Sequence, residues 1–178
     1  MLQMDVARLK RLSGESARFE LLVDLPPLEV QGETASFCGP VSARLVVSNT
    51  GAVLLAQGEV AGKLGLTCDR CLELFEYAFV LPFEETYRPV PGGEETGPEG
   101  GREETESVPF SGDLLDITPE VLNGLILALP MKALCRDDCP GLCPHCGSNL
   151  GVGQCSCESE KIDPRFSVLK DFFDKKKE

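Results

Sequence analysis

Apolar and polar residues alternate along three consecutive segments, residues 41–48, 53–66 and 73–85. A period of two is typical of strands with one buried face, and the turn residues Asn-Thr-Gly at 49–51 separate the first two segments. We therefore predict an antiparallel meander whose single apolar face needs a cover. The apolar positions of the three segments are Val41, Ala43, Leu45 and Val47, then Leu54, Ala56, Val60, Leu64 and Leu66, then Phe75, Tyr77, Phe79, Leu81 and Phe83.

A helical pattern follows over residues 118–129. Thr118 is suited to the N-cap and Pro119 to the first helical position, and Pro130 ends the helix. One side of this helix carries a wide apolar stripe, which suits a helix that covers a sheet. The stripe consists of Val121, Leu122, Leu125, Ile126 and Leu129.

These elements predict an α+β fold in which an antiparallel β-sheet is covered by a helix. Residues 1–130 would form this body, with a further strand over residues 19–25. Residues 131–178 would form a C-terminal Cys-rich zinc-knuckle module and a terminal helix that starts at Asp163. Residues 91–109 contain six Glu and five Gly, a composition that cannot bury enough apolar surface to order itself, so we expect a mobile acidic loop there.

Charge divides the chain unevenly. Residues 1–130 hold 9 basic and 21 acidic groups, whereas residues 131–178 hold 8 of each. Because nonspecific nucleic-acid binding depends on Lys and Arg, an acidic body argues against a broad RNA-binding surface. It favours a basic protein partner, or a short basic contact through Lys175, Lys176 and Lys177. The alternative is that the acidity serves solubility alone.

The first ten residues lack the apolar stretch of a signal peptide. No run approaches the roughly 18 apolar residues that a membrane helix needs. We therefore expect a cytoplasmic protein without membrane contact. In that compartment clustered cysteines indicate metal or redox chemistry more often than disulfides.

Six of the nine cysteines fall within residues 135–157. The central Cys143-Pro-His-Cys146-Gly is half of a zinc knuckle, because the two-residue gap turns both thiolates toward one point and the glycine relieves crowding. Zinc in a structural site takes four tetrahedral ligands, with sulfur at about 2.3 Å. The second pair would come from Cys155 and Cys157 or from Cys135 and Cys139.

A further motif, Cys68-Asp69-Arg70-Cys71, lies between two predicted strands, where a hairpin knuckle would sit. Eight cysteines could form two four-thiolate sites, with Cys68 and Cys71 completing one of them. Alternatively, the six C-terminal thiolates hold one zinc with two spare, and Cys68 and Cys71 stand alone. The sequence leaves both arrangements open. In both, Cys38 is left over, and we expect His145 to be exposed rather than a ligand.

The zinc is expected to be structural, because a short Gly-rich segment has no core of its own and metal ligation supplies its folding energy. A catalytic zinc needs an open ligand position and an acid or base beside it. The sequence contains neither an HExxH nor a His-x-Glu pattern, and His145 is its single histidine. We therefore expect no enzymatic activity.

Residues 67–73, Thr-Cys-Asp-Arg-Cys-Leu-Glu, precede an aromatic strand and resemble the core signature of the YceD family, the large ribosomal RNA subunit accumulation proteins. The runs GLCPHCGSNL (141–150), CSC (155–157) and IDPRF (162–166) resemble the longer members from Gram-positive and related bacteria. Those members usually have Asn-Leu-Asn after the knuckle, where this chain has Asn-Leu-Gly at 149–151.

The resemblance implies a role in the accumulation or processing of large-subunit (23S) ribosomal RNA, hence in ribosome biogenesis, with no established catalytic activity. The partner would be a large-subunit ribosomal precursor or a basic ribosomal protein, with any RNA contact made by the C-terminal Lys tail. Two alternatives remain. One is a generic zinc-stabilised protein-binding adaptor, and the other is a dithiol redox protein that uses Cys68 and Cys71.

Overall fold

The structure, a computed structural model, describes residues 1–30, 32–90 and 107–157. The predicted terminal helix, the Lys tail and most of the predicted acidic loop lie outside the described residues. Within the described part of the chain, no helix is long and apolar enough to cross a membrane. In chain order the elements are β1 (Gln3–Asp5), a 3-10 turn (Leu9–Arg11), β2 (Ser16–Val23), β3 (Leu28–Val30), β4 (Glu33–Phe37), β5 (Val41–Asn49), β6 (Leu54–Thr67), β7 (Leu74–Pro89), β8 (Ser107–Phe110), β9 (Leu114–Asp116) and α1 (Thr118–Ala128).

The predicted meander is present as β5, β6 and β7, which pair antiparallel in that order. Its strands start within one residue of the predicted positions, and β7 continues to Pro89 rather than ending at residue 85. The meander is the centre of a seven-stranded sheet. β2 pairs with β5, the β3–β4 hairpin joins the far end of β6, and β8 pairs with β7 in parallel. β1 and β9 form a separate two-stranded ribbon.

The core lies on the apolar face of this sheet, as the alternation predicts. All five apolar positions assigned to the inner face of β6 are buried. The cover consists of α1 and the N-terminal residues, of which Leu2, Met4 and Val6 are almost completely buried. The opposite face of the meander remains exposed in the described structure.

The helix packs on β7 through most of its predicted stripe. Val121 and Leu125 are buried, and Leu122 and Leu129 pack against the same core. The assignment of Ile126 to the stripe is wrong, because its side chain is 43% exposed. The mainly antiparallel sheet with one helix is therefore confirmed for the described residues.

The predicted N-cap of this helix is wrong by one residue. Thr118 is already helical, and the carbonyl of Ile117 accepts the first helical hydrogen bond from Val121 at 3.1 Å. The carboxylate of Asp116 serves the helix end instead, since its Oδ1 accepts a hydrogen bond from the Thr118 N–H at 2.9 Å. The Thr118 hydroxyl accepts a bond from the Leu2 N–H at 2.7 Å. It therefore ties the chain terminus to the helix.

Two predicted boundaries also change. The first long strand runs over Ser16–Val23 rather than residues 19–25, because it pairs with β5 along its whole length, from Ser16 opposite Ser48 onward. The last three residues of the predicted loop 91–109 belong to β8. This strand pairs in parallel with β7, which is a long-range contact that local composition cannot predict.

Candidate metal centres

Eight of the nine cysteines form two compact groups. In each group the four sulfur atoms lie within 4.8 Å of one another. The first group joins cysteines that are far apart in sequence, and the second is built within a single short segment. The first group is Cys68, Cys71, Cys135 and Cys139, and the second group is Cys143, Cys146, Cys155 and Cys157.

The first group begins at the turn between β6 and β7. The Cys68 N–H donates to the carbonyl of Glu73 at 2.9 Å, and the Leu72 N–H donates to the carbonyl of Cys68 at 2.8 Å. These two bonds close a tight turn that points both sulfurs of the pair to one side. Leu72 adopts a positive φ of 60°, a conformation that is costly for a residue with a side chain.

The same turn recurs in the second group. The Cys143 N–H donates to the carbonyl of Ser148 at 2.8 Å, and the Gly147 N–H donates to the carbonyl of Cys143 at 2.9 Å. Gly147 has a φ of 73°, and glycine adopts this conformation at little cost. Both Cys-x2-Cys motifs are therefore knuckles with the same backbone bonds, one completed by leucine and the other by glycine.

The two residues inside the first knuckle hold the distant pair of cysteines in place. The Asp69 N–H donates a hydrogen bond to the carbonyl of Ala133 at 2.8 Å, and Asp69 Oδ2 accepts one from the Ala133 N–H at 2.9 Å. The Arg70 guanidinium donates to the carbonyl of Cys139 at 2.9 Å. This explains how the segment after α1 reaches the sheet, and sequence reasoning missed the role of both side chains.

The two groups differ in exposure. Cys68, Cys71 and Cys139 are 0%, 6% and 4% exposed and pack with Phe75 and Leu134 in a small cluster of their own. In the second group Cys143 is buried, Cys146 is exposed and the remaining two are half-buried. Cys135, the fourth member of the first group, is exposed. Three of the four cysteines of the first group therefore belong to the packed interior, whereas the second group lies near the surface.

The distances suit a four-thiolate metal ion. A tetrahedron with metal–sulfur bonds of about 2.3 Å has sulfur–sulfur edges of about 3.8 Å. Cys68 Sγ lies 3.9 Å from Cys139 Sγ, and Cys71 Sγ lies 3.8 Å from Cys135 Sγ. Both separations are far longer than a disulfide bond of about 2.05 Å. The first group therefore has the spacing of a metal site, and the second, whose sulfurs also lie within 4.8 Å of one another, could hold a metal ion too.

Residues 56–173 match the family model of the large ribosomal RNA subunit accumulation protein YceD. The chain belongs to the YceD family. The matched region spans about two thirds of the chain and contains all eight grouped cysteines. Membership agrees with the resemblance carried by the first Cys-x2-Cys motif and by the C-terminal knuckle.

Curated relatives of this YceD-family protein occur in mycobacteria. An uncharacterized protein of Mycobacterium tuberculosis and another of Mycobacterium bovis are each 29% identical to it over 180 residues, which covers 93% of this chain and 78% of theirs. An uncharacterized protein of Mycobacterium leprae is 35% identical over 57 residues, or 32% of this chain and 26% of its own. No solved structure matches the chain.

The thiols within each group of this YceD-family chain differ in how readily they ionise. Burial raises the pKa of Cys68, but N–H groups directed at its sulfur outweigh burial and lower the pKa to about 6. The Ser148 hydroxyl and N–H lower the pKa of Cys146 to about 6. Burial and the neighbouring sulfurs raise the pKa of Cys135 to about 12. The pKa of Cys157 is also raised to about 12, first by its contact with Cys146 and then by burial. Four thiolates at this separation need a positive charge between them.

Of the two arrangements that the sequence left open, the structure has the one in which Cys68 and Cys71 complete a second four-cysteine group. The arrangement with Cys68 and Cys71 standing alone is not observed. His145 is exposed, as expected, and its N–H lies 3.5 Å from Cys143 Sγ. Cys38 is exposed and belongs to neither group among the described residues.

Proposed function

We propose that this YceD-family protein is a non-enzymatic factor for the accumulation of large-subunit (23S) ribosomal RNA, acting in ribosome biogenesis and stabilised by two zinc ions. The observation that carries the proposal is the family match over residues 56–173. That region includes the meander strands that present the first knuckle and the whole of the second cysteine group.

Zinc is proposed because four cysteine sulfurs within 4.8 Å of one another are a ligand set typical of structural zinc. Four protein ligands leave no open coordination position of the kind that a catalytic zinc requires. The only histidine in the sequence, His145, is exposed and outside both four-cysteine groups. This arrangement supports a role in holding the fold rather than in catalysing a reaction.

The proposed partner is a large-subunit precursor particle that is bound through one of its basic ribosomal proteins. A net charge of −12 supports this choice, because an acidic surface attracts basic proteins and repels phosphate groups. Any direct RNA contact is assigned to the C-terminal lysines, which lie outside the described residues.

Depletion of the protein tests this function. We expect large-subunit RNA to fall relative to small-subunit RNA, and the tagged protein to co-sediment in sucrose gradients with large-subunit precursors rather than with mature ribosomes. Unchanged RNA levels together with an absence of the protein from precursor fractions would contradict the proposal. A pull-down dominated by non-ribosomal proteins would favour the zinc-stabilised adaptor instead.

One observation favours the dithiol redox alternative, namely the pKa of Cys68, which is lowered to about 6. Reactive cysteines, however, need access to their substrates, and Cys68 and Cys71 are 0% and 6% exposed and face two further sulfurs. We therefore expect both thiols to resist alkylation until the metal is removed. Reduction of insulin disulfides by the native protein would revive the redox alternative.

A further inference from the structure

A groove lies beside the first knuckle, outside both cysteine groups. Its walls come from the β3–β4 hairpin, the end of β6 and the segment that follows α1, and its volume is about 140 Å³. Its larger apolar lining residues include Leu66, Leu74, Leu129 and Pro130. The bonds between Asp69 and Ala133 fix the wall that follows α1. The groove is therefore a formed feature of the fold.

One large exposed apolar side chain lies in the wall of this groove, and two more lie close in sequence to lining residues. Leu74, in its wall, is 79% exposed, and Met131, directly after the lining residue Pro130, is 90% exposed. Leu72, which keeps its positive φ in the knuckle, is 64% exposed. An exposed leucine in the wall of a concave, polar-rimmed site is a feature of protein interaction surfaces.

The rim of the groove is acidic. Its charged lining residues are Glu33 and Asp69, and no basic side chain is among the lining residues that the structure describes. Lys132, between the lining residues Pro130 and Ala133, is exposed, so the two lining carboxylates outnumber the one ammonium beside the wall. Two other cations make contacts of their own. Lys63 pairs with Glu76 at 2.9 Å, and the Arg70 guanidinium donates to the carbonyl of Cys139. An occupant with an aliphatic side chain and a neighbouring cation would therefore complement both the walls and the rim.

We propose that this groove binds a basic segment of a large-subunit ribosomal protein, with an aliphatic side chain in the cavity and a lysine or arginine beside Glu33 and Asp69. The inference rests on the proposed function and names the surface through which it acts. The first cysteine group fixes the groove, because the segment that forms one wall is bonded to the knuckle through Asp69.

Equilibrium binding to purified, RNA-free large-subunit ribosomal proteins, measured one at a time by fluorescence anisotropy, tests the surface. Leu74→Ser should weaken binding of the partner about tenfold, and Glu33→Lys about fivefold at low salt. Both positions are exposed, so the variants should fold as the wild type does. The matched controls are Val80→Ser and Glu84→Lys. Both control positions are exposed on β7, and Val80 lies about 20 Å along the strand from Leu74.

The controls should bind within twofold of the wild type. Equal weakening by Leu74→Ser and Val80→Ser, or full binding by both groove variants, would overturn the inference. Binding to a 23S RNA transcript but to no ribosomal protein would also overturn it. If Leu74→Ser still co-sediments with precursor particles as the wild type does, the groove is excluded and the proposed function stands. If the wild type itself binds no precursor particle, the proposed function fails with it.

Discussion

Replacing Cys139 by serine removes one sulfur from the cysteine group that joins the sheet to the segment after α1. The Cys139 thiol is 4% exposed and lies 3.9 Å from Cys68 Sγ. Serine is smaller and a poor zinc ligand, so the proposed metal would leave this group. The new hydroxyl is then enclosed among apolar neighbours and three remaining thiols.

Two terms set the size of the effect. A ligand that binds only the folded state stabilises it by about 2.7 kcal/mol when its free concentration is 100 times the dissociation constant. An enclosed hydroxyl without a partner costs about 1–3 kcal/mol. The sum is about 4–6 kcal/mol. At about 2–4 °C for each kcal/mol in a chain of this size, Cys139→Ser should lower the melting temperature by about 8–24 °C.

The comparison variant is Cys146→Ser, which lies seven residues away in the second group. Cys146 is exposed, and its partners all lie within residues 143–157. Loss of the proposed metal from this group should open only this local segment, with a melting shift of less than about 2 °C for the sheet. Cys38→Ser, outside both groups, is the control and should change nothing. Differential scanning calorimetry in buffered free zinc gives the three values. Equal shifts for the Cys139 and Cys146 variants would refute the reasoning.

Three further substitutions test the fold. Leu125→Asp places a charge at a position 1% exposed and should leave the protein insoluble or unfolded by circular dichroism; a soluble variant with an unchanged melting temperature would show that α1 is not part of the core. Asp116→Ala should cost about 1 kcal/mol at pH 7 in urea unfolding, whereas Asp116→Asn keeps the acceptor oxygen. Burial raises the pKa of Asp116, but hydrogen bonds outweigh it and hold the pKa below 3.8. The stabilisation that the Asp116 carboxylate gives is therefore fully present above pH 3.8. As the pH falls below that value, the difference in unfolding free energy between the wild type and Asp116→Ala should shrink. Gly58→Ala would press a Cβ against the backbone oxygen of Arg44 on the neighbouring strand and should cost about 1–3 kcal/mol, whereas Gly153→Ala meets open space and should be neutral.

Elements that depend on local pattern could be predicted from the sequence. The meander and α1 follow from alternation and helical period, since burial of one face requires those periods. Details that depend on distant residues could not. Asp116 replaces Thr118 at the helix end because the Thr118 hydroxyl bonds the chain terminus, and β8 is defined by its pairing with β7.

The same division applies to the cysteines. Spacing identifies Cys68, Cys71, Cys143 and Cys146 as two knuckles, because a two-residue gap is a local property. Pairing the first knuckle with Cys135 and Cys139 is a tertiary property, because it depends on the path of the chain after α1, whereas the partners of the second knuckle lie in its own short segment. The position of Asp69 inside the Cys-x2-Cys turn could have predicted its hydrogen bond to a backbone N–H. A short acidic side chain in a turn commonly accepts backbone hydrogen bonds.

The number of metal ions bound per chain tests the account most directly, by native mass spectrometry with elemental analysis to identify the ion. We predict two zinc ions in the purified wild type, and one in the Cys68→Ser/Cys71→Ser variant. A wild type with a single zinc, unchanged in that variant, would contradict the existence of a metal centre that links the sheet to the C-terminal module.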